Sequence, residues 1–382
     1  MEAEVTKNKT NAAVTFKNIV KRVWKALHNA TFLYVVKRIL SSLLTLFLLI
    51  AVVTALIRLL PDTMFYSRET YQRLKGKSGL QVAENYRIAT LYKYGILDLK
   101  GNRIPVISSI FQYIYWILPI KKKIAITWST DYSTVLKYWE GIIYLGRSTD
   151  GKFVIDKIKS RMGISFTISI ICIFFNYLFS IPLGIAMAKK PGGTIDKIGN
   201  TFIVLNYAIP ALVFYLLLNQ WMGNANGPLG ALKFGFSYNP DRPQSLIPPI
   251  FCVVFLSIPG LAIWIRRFMI DELSSDYVKF ARSKGLSEGR IMYTHVLRNA
   301  MIPLVRGIPA TLITAFIGSY YIEYIWGIPG TGILLVNALQ SSTPDVPTIE
   351  GLTILYSAMA MISFLLGDLI TVFFDPRIKL ED

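Results

Sequence analysis

Charge is scarce in this chain. Only 17% of its 382 residues are charged while 53% are hydrophobic, a balance that argues against two soluble domains and for a protein immersed in lipid. Histidine occurs only at His28 and His295, too few and too far apart for the ligand set of a zinc hydrolase. The two cysteines, Cys172 and Cys252, both fall inside long apolar runs, where a thiol packs as a small hydrophobe rather than as half of a disulfide or metal pair. A nucleotide-binding loop is missing as well: Gly76-Lys77-Ser78 has the right tail, but Tyr71 stands where the glycine five positions earlier is required. Neither a G-x-S-x-G elbow nor a catalytic-cysteine constellation appears. No catalytic residue, no metal and no cofactor is therefore expected on the chain itself.

What is present is a series of long apolar runs. Six are long enough to cross about 30 Å of hydrocarbon: Ile39–Leu60, Met162–Ala188, Gly199–Met222, Leu246–Ile265, Leu304–Glu323 and Gly351–Phe374. The first follows 38 mostly polar residues and lacks a small-residue cleavage site, so a removable signal peptide is not expected. Lys37, Arg38, Lys189, Lys190, Lys197, Arg266, Arg267, Arg377 and Lys379 all fall on one side if both termini are inside, which satisfies the positive-inside rule. The basic segment 61–160 is then external, where the rule is weak for so long a loop. Within it, Ile104–Ile120 is apolar but short and flanked by proline, and a seventh span there would invert every later loop. It reads as a membrane-interface or packed external helix.

The fold class expected is thus an all-α integral membrane protein with six transmembrane helices and a long external loop between the first two. Its parts are a cytoplasmic tail (1–38), the first span (39–60), an extracytoplasmic loop or small domain (61–160), a transmembrane core (161–374) with a cytoplasmic loop at 266–303, and a cytoplasmic C-terminal tail (375–382). Within the N-terminal tail, Phe16–Leu27 alternates apolar and basic residues in the manner of an amphipathic surface helix, or forms plain tail. The net charge of +18 fits basic flanks attracted to anionic lipid. Nucleic acid is not an expected partner, because the only segment resembling a helix-turn-helix is tethered to spans at both ends.

That segment, Asp276 to Val305, is the polar centre of the chain. Tyr277, Phe280, Ala281 and Lys284 repeat at i, i+3, i+4 and i+7, one helical face. Gly285 suits the left-handed position that ends a helix, Ser287 can cap the next turn, Glu288 favours its positive end, and Ile291, His295 and Arg298 resume the helical spacing. Tyr277, Val278, Ala281, Arg282, Lys284, Gly285, Leu286 and Ser287, then His295, Arg298, Asn299, Ala300 and Pro303, resemble the cytoplasmic "EAA" loop of ABC-importer permeases, in the variant of oligopeptide and dipeptide importers. The general pattern would put proline thirteen positions after the glycine. Here that place is held by Arg298 and proline is delayed to Pro303, which resembles the first of the two permeases of a peptide importer.

Further stretches extend the resemblance from about Leu145 to Ile378. Leu145-Gly146-Arg147-Ser148 with Val154, Ile158 and Arg161 is similar to the family's approach to the second span, although Ile143-Tyr144 replaces the usual Gly-Asp. Ile181-Pro182-Leu183-Gly184 and Ile209-Pro210-Ala211 place prolines inside spans, where they free carbonyls and bend helices. Gly318–Gly332 looks like G-x-x-x-x-E-x-x-F-x-x-P-G-x-G, with Glu323, Trp326, Pro329, Gly330 and Gly332 in the matching places. A carboxylate at a span end faces protein or water, so Glu323 is a clamp on the following loop, the preferred alternative, or part of the path. Asp368, about 10 Å before the inner end of the last span, needs a packed or hydrated partner.

The resemblance implies type I ABC importer permease architecture, in the bacterial cytoplasmic membrane, multi-pass, with both termini cytoplasmic. It implies a transport subunit that moves oligopeptides or dipeptides by alternating access and has no ATPase site of its own. Its partners would be a second homologous permease, two cytoplasmic ATPases carrying ATP and Mg, an extracytoplasmic peptide-binding protein, and membrane lipid. The coupling loop would act through Tyr277, Phe280, Ala281, Arg282, Lys284, Gly285, Leu286, His295, Arg298, Asn299 and Pro303. Small Ala281 and Gly285 would permit close approach, and Arg282 and Lys284 would supply charge contacts. Pathway or structural candidates are Pro182, Pro210, Glu323, Trp326, Pro329, Gly330 and Asp368. Rival readings are a nickel or signalling-peptide permease of the same family and an ion-driven secondary transporter, the latter lacking the inverted repeat it would need.

Overall fold

A computed structural model describes residues 30–374, apart from residues 99, 130–133, 228, 319 and 342–343. The helix expected over Phe16–Leu27 and the tail from 375 lie outside the described residues. Among the described residues, five helices are long and apolar enough to cross a membrane, and six spans result if one bent pair is counted as a single crossing. In order, the spanning elements are α1 (Ala30–Arg58), α5 (Val154–Lys189), the pair α6 (Thr194–Ala208) and α7 (Ala211–Gly223), α8 (Ile247–Leu273), α11 (Ile302–Gly318) and α14 (Val346–Phe374).

Their lengths differ from the apolar runs for physical reasons. At 36 residues α5 is about 54 Å long, more than a bilayer needs, and its first turns are buried against the rest of the protein, with Val154 and Ile158 at 0% and 1% exposure. The third crossing is not straight. Its halves meet at 92° at a break where Ile209, just before Pro210, is held in an extended conformation (φ −83°, ψ 118°) by the clash that a following proline imposes. Pro210 then stands as the first residue outside α7. By contrast, Pro182 lies inside α5 without ending it, as Pro259 does in α8 and Pro309 in α11.

Between α1 and α5 the intervening segment folds. Helices α2 (Arg68–Ser78) and α3 (Leu80–Lys93) form a hairpin turned at Gly79, with the Ser67 hydroxyl capping α2 by accepting from the Thr70 amide. Helix α4 (Val106–Ile117) packs one face, Ser109, Tyr113 and Trp116, inward and leans on α1, where the Phe47 and Phe111 rings meet. The Lys122 ammonium closes its end by donating to the carbonyls of Tyr115, Trp116 and Leu118. An antiparallel hairpin follows, β1 (Lys122–Trp128) with β2 (Val135–Gly141), an addition to the all-α bundle that the apolar runs did not foretell. Leu91, Ile96 and Leu97 seat the segment against Val346 and partly buried Ile57.

The elbow consists of α9 (Asp276–Ser283) and a helix α10 (288–300) that runs through Glu288–Arg290, a π-helical Ile291–Val296 and Leu297–Ala300. The final elements are the short α12 (Tyr320–Ile325) and α13 (Thr331–Gln340) before α14.

Candidate functional site

The elbow is held to the bundle by its apolar residues. Val278, Ala281, Ile291, Met292, Val296 and Ala300 form one buried cluster with Ile185 and Ala188 of α5 and Ile265 and Met269 of α8. Its hinge is a complete helix-ending motif: Gly285, at φ +76°, donates to the Arg282 carbonyl (2.9 Å) and Leu286 to the Ala281 carbonyl (3.3 Å), satisfying two carbonyls that α9 would otherwise leave open. An added Cβ at position 285 would meet nothing within 4 Å. The site is open.

Around it the outward face is cationic and aromatic. Phe280 is 60% exposed, with the Lys284 ammonium 4.4 Å over its ring. Arg282 makes a two-pronged contact with Glu288, at 2.7 and 3.2 Å, and each partner holds the other in its charged form, raising the guanidinium and lowering the carboxyl. Tyr277 is half-buried and donates to Glu272 at 2.6 Å. Burial, and then that bond, pushes its hydroxyl up to about 12. Of the remaining elbow candidates, Arg298 and Pro303 are exposed, whereas His295 and Asn299 are partly covered and Leu286 leans on the buried cluster.

Two expectations need correction. Ala281 is 8% exposed and faces the bundle, so it is unavailable for close approach by a partner; a stripe at i, i+3, i+4 and i+7 is wide enough to be split between two faces. Ser287 has the backbone conformation of a helix cap but its side chain makes no capping bond. Its carbonyl, which accepts from Ile291, begins α10 instead.

At the far end of the bundle, Glu323 is fully buried. Its carboxylate accepts from the Ser165 hydroxyl at 2.6 Å, the Gly332 amide at 2.6 Å and the Ile333 amide at 3.2 Å, so it stands over the amides that begin α13, where a negative charge is favoured. Gly330 makes room for it, because a Cβ there would lie 2.3 Å from the Glu323 carboxyl carbon. Trp326 is buried beside this contact and Pro329 is exposed. Asp368, at the elbow end, joins three spans: it is reached by Arg38 of α1 at 2.5 Å and Arg306 of α11 at 3.0 Å.

Several contacts had no signal among the motifs. Asp196, 2% exposed, takes both prongs of Arg266 at 2.6 and 2.8 Å. Asp345 accepts from the hydroxyls of Ser148 and Thr348 and pairs with Lys157 at 3.4 Å, which ties the Leu145–Ser148 stretch to the start of α14. A cavity of about 590 Å³ opens between α5, α7, α8 and α11, with Ser169, Asn176, Tyr215, Ser257 and Thr311 among its walls. None of the sequence-based pathway candidates lines it. The signal that could have found it is the recurrence of hydroxyls and an amide inside otherwise apolar spans.

Residues 180–380, which take in the elbow, Glu323 and Asp368, match the family described as binding-protein-dependent transport system inner membrane component. The chain belongs to that family. As such an inner membrane component it is a multi-pass membrane protein. It is 35% identical over 207 residues to the oligopeptide transport system permease protein AmiC of Streptococcus pneumoniae, a match covering 54% of this chain and 40% of that relative. The chain thus spans less than half the length of this relative. It is 30% identical over 249 residues to the dipeptide transport system permease protein DppB of Lactococcus lactis, covering 62% of this chain and 79% of the relative. With the oligopeptide transport system permease protein OppB of Haemophilus influenzae it shares 25% over 347 residues, 91% and 99% of the two lengths. Among solved structures it is similar to an inward-facing MetNI methionine ABC transporter, with 14% identity, a TM-score of 0.45, and coverage of 58% of this chain and 97% of that one.

Proposed function

We propose that this inner membrane component is one of two related permeases in an ATP-driven importer that carries oligopeptides or dipeptides inward by alternating access. The names of its relatives support the substrate class, since the three relatives named above are described as oligopeptide or dipeptide permeases. The elbow is the observation that carries the coupling. Its inner face is bolted to α5 and α8 by fully buried Val278, Ile291 and Val296, while its outer face offers Phe280, Lys284 and Arg282 around an open hinge at Gly285. A push on that outer face moves two spans together, because packed helices shift as rigid bodies. The push would come from two separate ATPases, which would also hold the ATP and Mg. With both termini cytoplasmic, segment 61–160 faces outward, towards a peptide-binding protein.

Gly285→Asp tests this coupling. An aspartate there costs about 1 kcal/mol in the left-handed conformation, and it adds negative charge to a helix end that is already negative. Space for the side chain exists, so the protein should still insert and fold. ATP-driven uptake should be lost and ATPase docking weakened, whereas Ser287→Ala, which removes no capping bond, should leave both unchanged. Normal uptake by Gly285→Asp at wild-type abundance would refute the elbow as coupling element.

A further inference from the structure

Where α1, α11 and α14 end together on the elbow side, a cleft of about 410 Å³ opens between them. It is walled by Arg38 and Arg306, roughly half exposed at 46% and 54%, with the buried Asp368 carboxylate between them. Among the described residues that line it, two guanidinium groups face one carboxylate, a balance of one positive charge. Ser41 and Ser42 of α1 add hydroxyls, and Met361 and Phe364 of α14 supply an apolar wall. Along the same stretch of α1, Leu40, Leu43 and Leu44 are each more than half exposed. A cationic, hydroxyl-lined cleft at the end of the spans, continuous with an outward apolar helix face, matches an amphiphile with an anionic head.

We propose that this cleft binds a phosphate ester, supplied by the head group of an anionic phospholipid whose acyl chains lie along α1. Guanidinium suits phosphate because its planar fork presents paired donors and it gives up hydration more readily than an ammonium. Basic pockets between spans at the membrane boundary are a general means of holding such head groups. Free phosphate shares the head-group chemistry but has nothing to place against Leu40, Leu43 and Leu44. The site is independent of the transported substrate and of which end of the bundle faces the cytoplasm.

The test is native mass spectrometry of the full chain released from nanodiscs made of equal amounts of phosphatidylglycerol and phosphatidylcholine. Phosphatidylglycerol should be retained preferentially. Arg306→Gln should lower that retention about fivefold, as loss of one cation near a lipid surface implies, while Arg306→Lys should keep most of it. Lys197→Gln, an exposed cation of α6 away from the cleft, should lower it less than Arg306→Gln does. Asp368→Asn gives a sign that a merely structural contact would not: by removing the competing carboxylate it should raise retention in protein that remains folded. Equal retention of the two lipids, no gain in folded Asp368→Asn, or displacement of the lipid by millimolar inorganic phosphate would each overturn the proposal.

Discussion

Glu323 should act as the cap that α13 lacks. That helix has only ten residues, and its first position outside the helix is Gly330, which has no side chain to offer. The Gly332 and Ile333 amides turn instead to a carboxylate nine and ten residues upstream, and the Ser165 hydroxyl of α5 joins them. Glu323→Ala would leave two buried donors and one partly buried donor without this acceptor. A hydrogen bond to a charged group is worth about 1.5–3 kcal/mol, and stranding a buried donor costs about 1–3 kcal/mol; because the three act as one network, the sum is smaller than three separate losses, about 3–5 kcal/mol. Glu323→Gln keeps an acceptor of the same shape but gives up charge assistance, roughly half the strength of each bond, so its cost should be about 1–3 kcal/mol. Gly330→Ala should resemble the alanine variant, because its methyl group would occupy the space of the carboxyl. The assay is thermal unfolding of the detergent-solubilised full chain followed by tryptophan fluorescence, with the order wild type, Gln, then Ala expected. Wild-type stability of Glu323→Ala, or equal loss for Gln and Ala, would refute the capping account. Uptake, measured in parallel, should fall only in proportion to the folded protein.

Two other predictions concern the segment between α1 and α5 and the topology. Lys93 is partly buried, and burial first, then the nearby Arg147 charge, lowers its ammonium from 10.5 to about 8; a folded pKa below the unfolded one means that the unfolded chain binds more protons between those values, so stability should rise from pH 8 to about 10.5, by up to about 3 kcal/mol. Lys93→Met should remove that pH dependence, and identical melting curves for variant and wild type across the range would contradict it. A cysteine at Ser129, in the turn after β1, should react with an impermeant thiol reagent applied to intact cells, and one at Ser283 should not; labelling at Ser283 from outside would invert the orientation.

Much of the bundle was legible in the chain because a span is a local property. Apolar length alone marks α1, α5, α8, α11 and α14, and Gly285 between two helical stripes marks the elbow. Proline at 210 announced a break, but not a turn of 92°, which depends on how α6 and α7 each pack against α8. The direction of a side chain within a stripe was less legible: Phe280 and Ala281 are neighbours, and only the cluster around Ile265 and Met269 decides that Ala281 is the one turned inward. Contacts that close the fold were not legible at all. Arg266 finds Asp196 seventy positions away, Lys157 finds Asp345 across 188, and in each case the ion pair follows from the packing of the spans rather than from any spacing along the chain. The β1–β2 hairpin did carry a signal in the alternation of Lys-Ile-Ala-Ile-Thr, which the apolar helix preceding it overshadowed.

The central claim, that this chain is one permease of a two-permease, two-ATPase importer, is tested most directly by its company in the membrane. The full-length chain, tagged and extracted in mild detergent, should bring down a second related permease and two ATPases, identified by mass spectrometry of the purified complex. Gly285→Asp should bring down the sister permease with the ATPases reduced. Recovery of a homodimer of this chain with no ATPase would contradict the account.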